Sequence, residues 1–442
     1  MKKIIAVAAL AALAVTSMSA AGKKESALDD NTPITITLWT HEDPNRQKLE
    51  ESYAAEYMKQ HPNVKIEYSV YPSTKIQDLI STAYAAKNAP SIWNLELQKA
   101  YPLLSQGLCA PVDPEALGVK SEKDITAMYM EHMLDAVTDT DGSIGGKKGK
   151  IYGLPLELNN WCIYLNKKIF RDAGLDPEKD YPKTWEDMMT VCEKITQRNG
   201  NIITRRGFDF RYPDYLISWV PMVNQLGGRV VSADGKEAIT NPEAWEKVLT
   251  YMQEFGPNGK NLGAPTYTAA RKVFDTDSNE IAMSLSGLYQ EARIRTANPD
   301  FYNSMEWMVI PYPVFKGGKN LAACYYFQFY MVNSQIPERE QKEAWRFVNF
   351  MLSHPDEYLE KIALVQPRKT LIEGDLFKSM PYSSVFTDDL KRAESVYYGA
   401  ASWQINQQIN EAITGVMLNG VSPKEAVQKL KKSAQSVLDE AL

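Results

Sequence analysis

Residues 150–170 read KIYGLPLELNNWCIYLNKKIF. A polar bend around Pro155 leads into the apolar strand pattern of residues 162–165. Between them, the Asn-Asn-Trp sequence of residues 159–161 offers amide donors, amide acceptors and a flat apolar face. This mixture is more typical of a contact surface for a polar, ring-shaped molecule than of a buried core. We interpret the stretch as a crossing between two lobes of the protein.

The size and composition of the chain limit the possible classes of protein. Its 442 residues exceed one ordinary core and predict two lobes. The hydrophobic content of 44% and the charged content of 24% are those of a soluble globular protein. A net charge of -6 argues against a general nucleic-acid binder, which would carry a basic stripe.

The N-terminus, residues 1–21, has the pattern of a signal peptide. Lys2 and Lys3 precede an apolar run over residues 4–15, and small residues follow. The run is too short to remain as a membrane-spanning helix. No cysteine lies near the cleavage point to carry a lipid anchor. The sequence therefore predicts export to a soluble compartment, which we take to be the periplasm.

The four cysteines are Cys109, Cys162, Cys192 and Cys324. They lack the short paired spacing of metal sites. One or two disulfides are compatible with export, and the sequence does not choose among the three pairings. The apolar neighbours of these residues favour buried free thiols.

The first part of the chain alternates strands with helices. Residues 34–40, 64–70 and 91–95 have strand patterns, and two helical patterns lie between them. This β-α-β-α-β order predicts a parallel sheet with helical crossovers. Ligands of such sheets bind beyond the carboxyl ends of the strands, where residues 41–42 and 96–99 lie.

Several short motifs follow one another in an order that is more specific than any single motif. They are HPNVKIE at 61–67, APSI at 89–92, IYGLP at 151–155 with YLNK at 164–167, AGLD at 173–176 with PKTWED at 182–187, IAM at 281–283 followed by Gly287, and WRF at 345–347. Their order resembles that of the extracellular solute-binding proteins of ABC importers, in the family of maltose- and multiple-sugar-binding proteins. The resemblance covers nearly the whole mature chain, although Ser91 stands where the family pattern has Asp.

The resemblance implies an α/β fold of the periplasmic-binding-protein kind, type II-like, with two lobes joined by a multi-strand hinge. Lobe one would comprise residues 30–156 and 312–353, and lobe two residues 157–311 and 354–442. The three crossings would fall at residues 154–159, 310–312 and 353–355. Hinge closure around a ligand in the cleft is the usual motion of such a fold.

The candidate ligand contacts lie on loops, strand ends and helix starts that face this cleft. They are Trp39, His41, Glu42, Glu96, Gln98, Asn159, Asn160, Trp161, Asp214, Tyr215, Trp219, Tyr289, Tyr325, Tyr326 and Trp403. Amides and carboxylates would bind sugar hydroxyls, and aromatic rings would cover sugar faces. Two alternatives remain open: His41 and Glu42 can cap a helix instead, and Trp219, Tyr325 and Tyr326 can belong to the core. We expect Trp161→Ala to abolish binding with little loss of fold.

The function predicted from these features is capture of a mono- or oligosaccharide and its delivery to an ABC permease. We predict a monomer with no catalytic residue, cofactor, metal or nucleic-acid partner. One alternative is a binding protein for a glycerophosphodiester or a peptide, in which Arg205, Arg206 and Arg211 would bind anions. Further alternatives are an exported carbohydrate-active enzyme using Glu96, Glu157 and Asp214, and a receptor whose lobes bind a membrane sensor.

Overall fold

The computed structural model describes residues 32–140, 142, 144, 146–210, 215–264, 266, 267, 269–323, 325–395, 399 and 401–441. The predicted signal peptide lies outside the described residues. So does Cys324. The other three cysteines are buried free thiols, as the apolar contexts predicted.

The strands form two five-stranded sheets and one short hairpin. Their bounds are β1 Ile34–His41, β2 Val64–Tyr71, β3 Ile92–Glu96, β4 Leu154–Asn159, β5 Cys162–Asn166, β6 Gln197–Asn199, β7 Ile202–Phe208, β8 Arg229–Val231, β9 Ala238–Thr240, β10 Ile281–Ser286, β11 Trp307–Ile310 and β12 Tyr326–Val332. The first sheet has the order β2-β1-β3-β12-β4, and the second has the order β11-β5-β10-β7-β6.

Helices cover both sheets and account for most of the second half of the chain. Their bounds are α1 Pro44–Gln60, α2 Ile76–Ala85, α3 Leu97–Ser105, α4 Glu122–Ala127, α5 Lys167–Asp172, α6 Trp185–Ile195, α7 Tyr215–Gln225, α8 Pro242–Phe255, α9 Ala270–Asp275, α10 Tyr289–Ala297, α11 Pro299–Ser304, α12 Glu338–Leu352, α13 Pro355–Ile362, α14 Lys369–Ile372, α15 Asp375–Ser379, α16 Ser383–Leu390, α17 Ser402–Leu418 and α18 Pro423–Ala441. A 3₁₀ turn covers Asp135–Val137.

The first sheet contains the predicted parallel unit. Strand β1 pairs in parallel with both β2 and β3, so the loops after β1 and β3 leave the same edge of the sheet. Strand β12 returns much later in the chain and pairs antiparallel with β3 and β4. The carboxyl ends of β1, β3 and β4 therefore lie together, beside the start of β12.

Three strands of the second sheet, β5, β10 and β11, are buried on both faces. Along β5, Ile163 and Leu165 point into one apolar cluster, and Cys162 and Tyr164 point into another. This alternation follows from the two-residue period of a strand. We call the larger cluster, around Trp185 and the helices α6, α8, α17 and α18, the second core; the smaller cluster around Tyr164 is the outer core. The first core lies around the first sheet.

Capping residues set where two of the helices start. Asp43 Oδ1 accepts hydrogen bonds from the backbone N–H groups of Asn45 and Arg46, and Pro44 occupies the first helical position. Thr184 and Asp187 form a reciprocal capping box at α6. These bonds satisfy backbone N–H groups that have no partner within the first helical turn, and they fix the residue at which each helix begins.

At two of the crossings, core packing places the boundary between the lobes later in the chain than predicted. Tyr312, Phe315 and Ala323 pack in the second core, although residues 312–353 were expected in lobe one. Tyr358 packs in the first core, although residues from 354 were expected in lobe two. Leu364 also packs in the first core, and Arg368 bridges to Tyr129. We propose that lobe one resumes only after Ala323 and continues at least as far as Arg368.

Candidate binding cleft

A cavity of about 570 Å³ lies between the edges of the two sheets. Its size is within the range of small-molecule sites. The first sheet contributes the end of β1, the start of α1 and residues of β4 and β12, whereas the second contributes α10 and the end of α9. The lining residues are His41, Glu42, Asp43, Pro44, Asn45, Arg46, Glu157, Asp275, Tyr289, Ala292, Arg293, Thr296, Ala297, Gln328, Ile362 and Leu364.

A row of polar side chains crosses three neighbouring strands of the first sheet. Gln328 on β12 is in register with Glu96 on β3 and with Glu157 on β4. Directly paired residues of neighbouring strands point to the same face, so the three groups lie side by side. This row cannot be recognised from the sequence, because all the strands of the second sheet lie between β4 and β12 in the chain.

Arg46 lies beneath this row and connects several of its neighbours by hydrogen bonds. Only 1% of its surface is exposed. Its Nη2 donates to Thr40 Oγ1 at 2.5 Å and to the His41 carbonyl at 2.9 Å. Its Nη1 donates to Asn94 Oδ1 at 3.3 Å and to Gln328 Oε1 at 3.4 Å. The guanidinium therefore ties the β1–α1 loop to β3 and β12, and holds the cavity wall in one geometry.

His41 faces this cationic surrounding. Burial, together with the charges of Arg46 and Lys99, lowers the pKa of His41 to about 2. The imidazole is therefore neutral at physiological pH and offers one donor and one acceptor.

Glu157 is the buried carboxyl of the cavity, with 9% of its surface exposed. Burial raises the pKa of its carboxyl to about 7, against an opposing effect of Arg46 and with further increases from Asp43 and Glu96. The amide Nδ2 of Asn159 donates to Glu157 Oε1. At neutral pH the group thus exists in both protonation states.

This raised pKa makes a prediction about stability. Because the folded pKa lies above the unfolded value of 4.5, the folded state holds the proton more tightly, and stability is lost as pH rises from about 4.5 through 7. Glu157→Gln removes this loss. The free energy of unfolding of the variant should therefore exceed that of the wild type by up to about 3 kcal/mol at pH 8, and by little at pH 4. Thermal unfolding of both proteins across this pH range measures the difference; a difference that does not change with pH would contradict the assignment.

The second sheet contributes an aromatic ring and an ion pair. Tyr289 begins α10 directly after the tip of β10 and lines the cavity. One turn later, Arg293 binds Asp275 with Nη2–Oδ2 at 2.6 Å and Nε–Oδ2 at 2.8 Å. Gln290 also donates to Asp275 Oδ1 at 3.1 Å. The pair is held rigidly, and its two charges offset each other at the cavity wall.

The two sheets touch where β4 ends and β10 ends. A methyl group placed on Gly287 would lie 2.0 Å from Asn159 Oδ1 and 2.7 Å from the Tyr289 ring. Only a hydrogen at this position permits the contact. Asn160, next along the chain, donates from Nδ2 to the Phe386 carbonyl at 2.8 Å. Asn159 and Asn160 also border a small space of about 20 Å³ beside Leu288 and Phe386.

A second bridge between the lobes runs from α3 to α17. Asn406 Nδ2 donates to Gln98 Oε1 at 3.3 Å. Gln98 in turn donates to Glu96 Oε2 at 3.0 Å, and Lys99 binds Glu96 Oε1 at 3.2 Å. The Lys99 ammonium lies 5.4 Å from the centre of the Trp403 ring. The structure therefore brings the predicted residues Glu96, Gln98 and Trp403 together, next to the polar row.

Two predicted tryptophans are placed in the core instead. Trp161 is 2% exposed and Trp219 is fully buried, and both pack in the second core. The Trp219 ring lies 5.1 Å from that of Trp245. Removing a buried Trp costs about 3–5 kcal/mol. The burial of Trp161 therefore argues against the expectation that Trp161→Ala leaves the fold nearly intact. Trp219 is not among the cavity-lining side chains.

The remaining predicted residues are partly described. Trp39 is half-buried and its ring lies 4.8 Å from that of Tyr71. Tyr325 is half-buried, packs on Phe327 and donates its backbone N–H to the Glu394 carbonyl. Asp214 lies outside the described residues, and the side chains of Tyr215 and Tyr326 lie outside the described part of the chain.

Sequence reasoning missed several residues of the cavity. They are Arg46, Asp275, Arg293 and Gln328. One local signal existed, because Arg293 follows Tyr289 by four residues on a helix and so shares its face. Gln328 and Arg46 carried no such signal, since their role depends on strand pairing and burial.

Residues 52–381 match the family described as bacterial extracellular solute-binding protein, which is well over half of the chain. The protein therefore belongs to the extracellular solute-binding protein family, and the resemblance seen in the sequence motifs is confirmed. In the described residues, every helix is too short or too polar to cross a membrane.

Curated relatives are distant in sequence. An arabinooligosaccharide-binding protein of Halalkalibacterium halodurans is 23% identical over 264 residues, which are 58% of this chain and 53% of the relative. The matched part thus spans about half the length of that protein. The diacetylchitobiose binding protein DasA of Streptomyces coelicolor is 23% identical over 402 residues, 85% of this chain and 84% of the relative.

Solved structures share the fold over nearly the whole chain. The GacH receptor of Streptomyces glaucescens, solved unliganded and with acarbose, has a TM-score of 0.77 at 17% identity and covers 92% of this chain and 99% of its own. A solute-binding protein of Thermotoga lettingae bound with alpha-D-tagatose has a TM-score of 0.76 at 19% identity, with 91% and 99% covered. The predicted two-lobe periplasmic-binding-protein fold is confirmed.

Proposed function

We propose that the protein is the exported, carbohydrate-binding component of an ABC importer, which captures a mono- or oligosaccharide between its lobes and delivers it to a membrane permease. We further propose that it acts as a monomer in the periplasm. One observation carries the proposal: a cavity between the two sheets combines a tyrosine ring with neutral and ionisable hydrogen-bonding groups from both lobes.

This set of groups matches the chemistry of a sugar. Hydroxyls around the ring edge need donors and acceptors in the ring plane, which His41, Glu157 and Gln328 supply. The apolar C–H face of a ring needs an aromatic partner, which Tyr289 supplies. Closure of the lobes removes water and strengthens these hydrogen bonds, and opening at the permease releases them. The names of the relatives, which bind arabinooligosaccharide and diacetylchitobiose, support the same class of ligand.

The phosphodiester alternative has less support from the contacts of its proposed anion donors. Arg205 donates from Nε to the Asn279 carbonyl at 3.1 Å. Arg206 binds Asp209 at 3.1 Å and lies over the Tyr267 ring. Both guanidinium groups thus have acidic, carbonyl or aromatic partners away from the cavity. Arg211 lies outside the described residues.

Thermal-shift screening with mono-, di- and oligosaccharides tests the proposal. A ligand that binds only the folded state stabilises it by about 2.7 kcal/mol at 100 times its Kd, so a matching sugar must raise Tm. Glycerophosphodiesters and short peptides serve as the comparison. A shift with one of these and with no sugar would reject the carbohydrate assignment.

The aromatic contact makes a second prediction. Tyr289→Ala should weaken sugar binding about 10-fold, the equivalent of roughly 1.4 kcal/mol, because the sugar face loses its ring. Tyr289→Phe keeps the ring and is the matched control, which should retain most of the affinity. Isothermal titration of the sugar found in the screen measures both. Equal losses in the two variants would assign the effect to the hydroxyl and not to stacking.

A further inference from the structure

The two cations of the cavity wall are already bound to protein groups. Arg46 directs its guanidinium to Thr40, His41, Asn94 and Gln328. Arg293 binds Asp275 through two nitrogens. His41 is neutral. The described cavity wall therefore presents no cation that is without an acidic or carbonyl partner.

The acidic residues of the cavity wall differ in whether a cation or a helix N-terminus offsets their charge. Asp275 is paired with Arg293, and Asp43 Oδ1 caps α1. Glu42 is exposed at the rim. Glu157, by contrast, is buried on the first-lobe wall, where the amide of Asn159 is its hydrogen-bond donor. Arg46 acts on this carboxyl through its charge but forms no salt bridge with it, and a buried carboxyl without a salt bridge disfavours any further negative charge beside it.

We propose that Glu157 determines the charge of the ligand: the cleft takes an uncharged or amine-bearing saccharide and rejects a uronic acid or a phosphorylated sugar at this position. The inference rests on the proposed carbohydrate function and makes it more specific. In its protonated form Glu157 donates to a ring or hydroxyl oxygen, and in its ionised form it accepts from a hydroxyl or an ammonium group. A carboxylate or phosphate on the ligand would be repelled by the ionised form of Glu157 and by the acidic residues around it.

The groups that face Glu157 set how this selection depends on pH. Arg46 and Asp43 face it from α1, Glu96 from β3, Gln328 from β12 and Asn159 from its own strand. Asp275 and Arg293 lie across the cavity on the second lobe. With three acids and two arginines near it, Glu157 should reject anions more strongly at pH 8 than at pH 5.

The experiment uses the full mature protein, three ligands, the wild type and two variants. The ligands are disaccharides of glucose, glucosamine and glucuronate, together with the corresponding forms of any sugar found in the screen. The proteins are the wild type, Glu157→Gln and Glu51→Gln, a matched control that makes the same charge change on the exposed face of α1. Affinities are measured by isothermal titration at pH 5 and pH 8, and thermal unfolding at pH 5 checks that Glu157→Gln is folded.

The wild type should bind the uronate at least about 100-fold more weakly than the neutral or amino sugar at pH 8. In Glu157→Gln this ratio should fall below about 10-fold, whereas Glu51→Gln should keep the wild-type ratio. Equal tolerance of the uronate by the wild type, or an unchanged ratio in Glu157→Gln, would overturn the inference while leaving the carbohydrate function intact. Failure of every saccharide to bind would overturn both.

Discussion

Gly287→Ala is expected to weaken saccharide binding by about 10- to 100-fold, because overpacking at a tight contact costs roughly 1–3 kcal/mol. The added methyl would lie 2.0 Å from Asn159 Oδ1 and 2.7 Å from the Tyr289 ring. Asn159 cannot simply rotate away, since it is buried and its amide is bound to Glu157. The substitution therefore displaces two proposed ligand contacts and separates the ends of β4 and β10.

Titration calorimetry with the sugar identified by screening measures this loss. Gly415→Ala is the matched control: it lies inside α17, and a methyl group there would only make ordinary contacts with Val421 at 3.6 Å. That variant should bind normally and gain about 0.5–1 kcal/mol of stability from its helical alanine. Normal binding by Gly287→Ala would show that the contact between β4 and β10 does not limit closure.

Arg46→Met is expected to destabilise the protein by about 3–5 kcal/mol, since it leaves a buried charge without its partner. Glu50 lies one helical turn after Arg46 and is fully buried. Its carboxylate accepts hydrogen bonds from Tyr330, from Tyr68 at 2.7 Å and from Tyr358 at 3.0 Å. Removing the guanidinium leaves this carboxylate with hydrogen bonds but no compensating charge, and Tm should fall by roughly 10 °C.

A double variant separates charge from packing. Arg46→Met combined with Glu50→Gln removes both charges and keeps an acceptor for the tyrosine hydroxyls, so it should recover much of the loss. Denaturant unfolding of the wild type, the two single variants and the double variant gives the coupling free energy. A double variant no more stable than Arg46→Met would mean that packing and hydrogen bonds, not the charge of Glu50, account for the effect.

Local chemistry made the first half of the fold predictable. Period-two alternation located β1 and β2, and the Asp43–Pro44 pair located the start of α1. The capping residues Thr184 and Asp187 did the same for α6. Such features depend on neighbours in sequence, so a single chain displays them. The parallel order of β1, β2 and β3 then followed from the helices between them.

The site was only partly predictable because strand pairing brings its residues together from distant parts of the chain. His41, Glu42 and Tyr289 were recognised from their places at strand ends, and the structure puts them around one cavity. Alternation along β4 allows Glu157 to point to either face of the sheet, and its register with Gln328 shows which face it takes. Trp161 and Trp219 are buried in the second core, and the sequence around a tryptophan does not show whether its ring contacts ligand or core.

The position of β12 has a consequence for the order in which the protein can assemble during synthesis. This strand fills the gap between β3 and β4, yet it follows all the strands of the second sheet in the chain. The second sheet can be complete while the first still has two open edges, each with unpaired N–H and C=O groups. Closing the first sheet then requires β12 to pair with β3 and β4, which precede the whole second sheet in the chain, and such non-local pairing folds slowly. The wall that carries Arg46, Glu157 and Gln328 thus cannot form until β12 has been synthesised, and until then the open edges of β3 and β4 are exposed to aggregation.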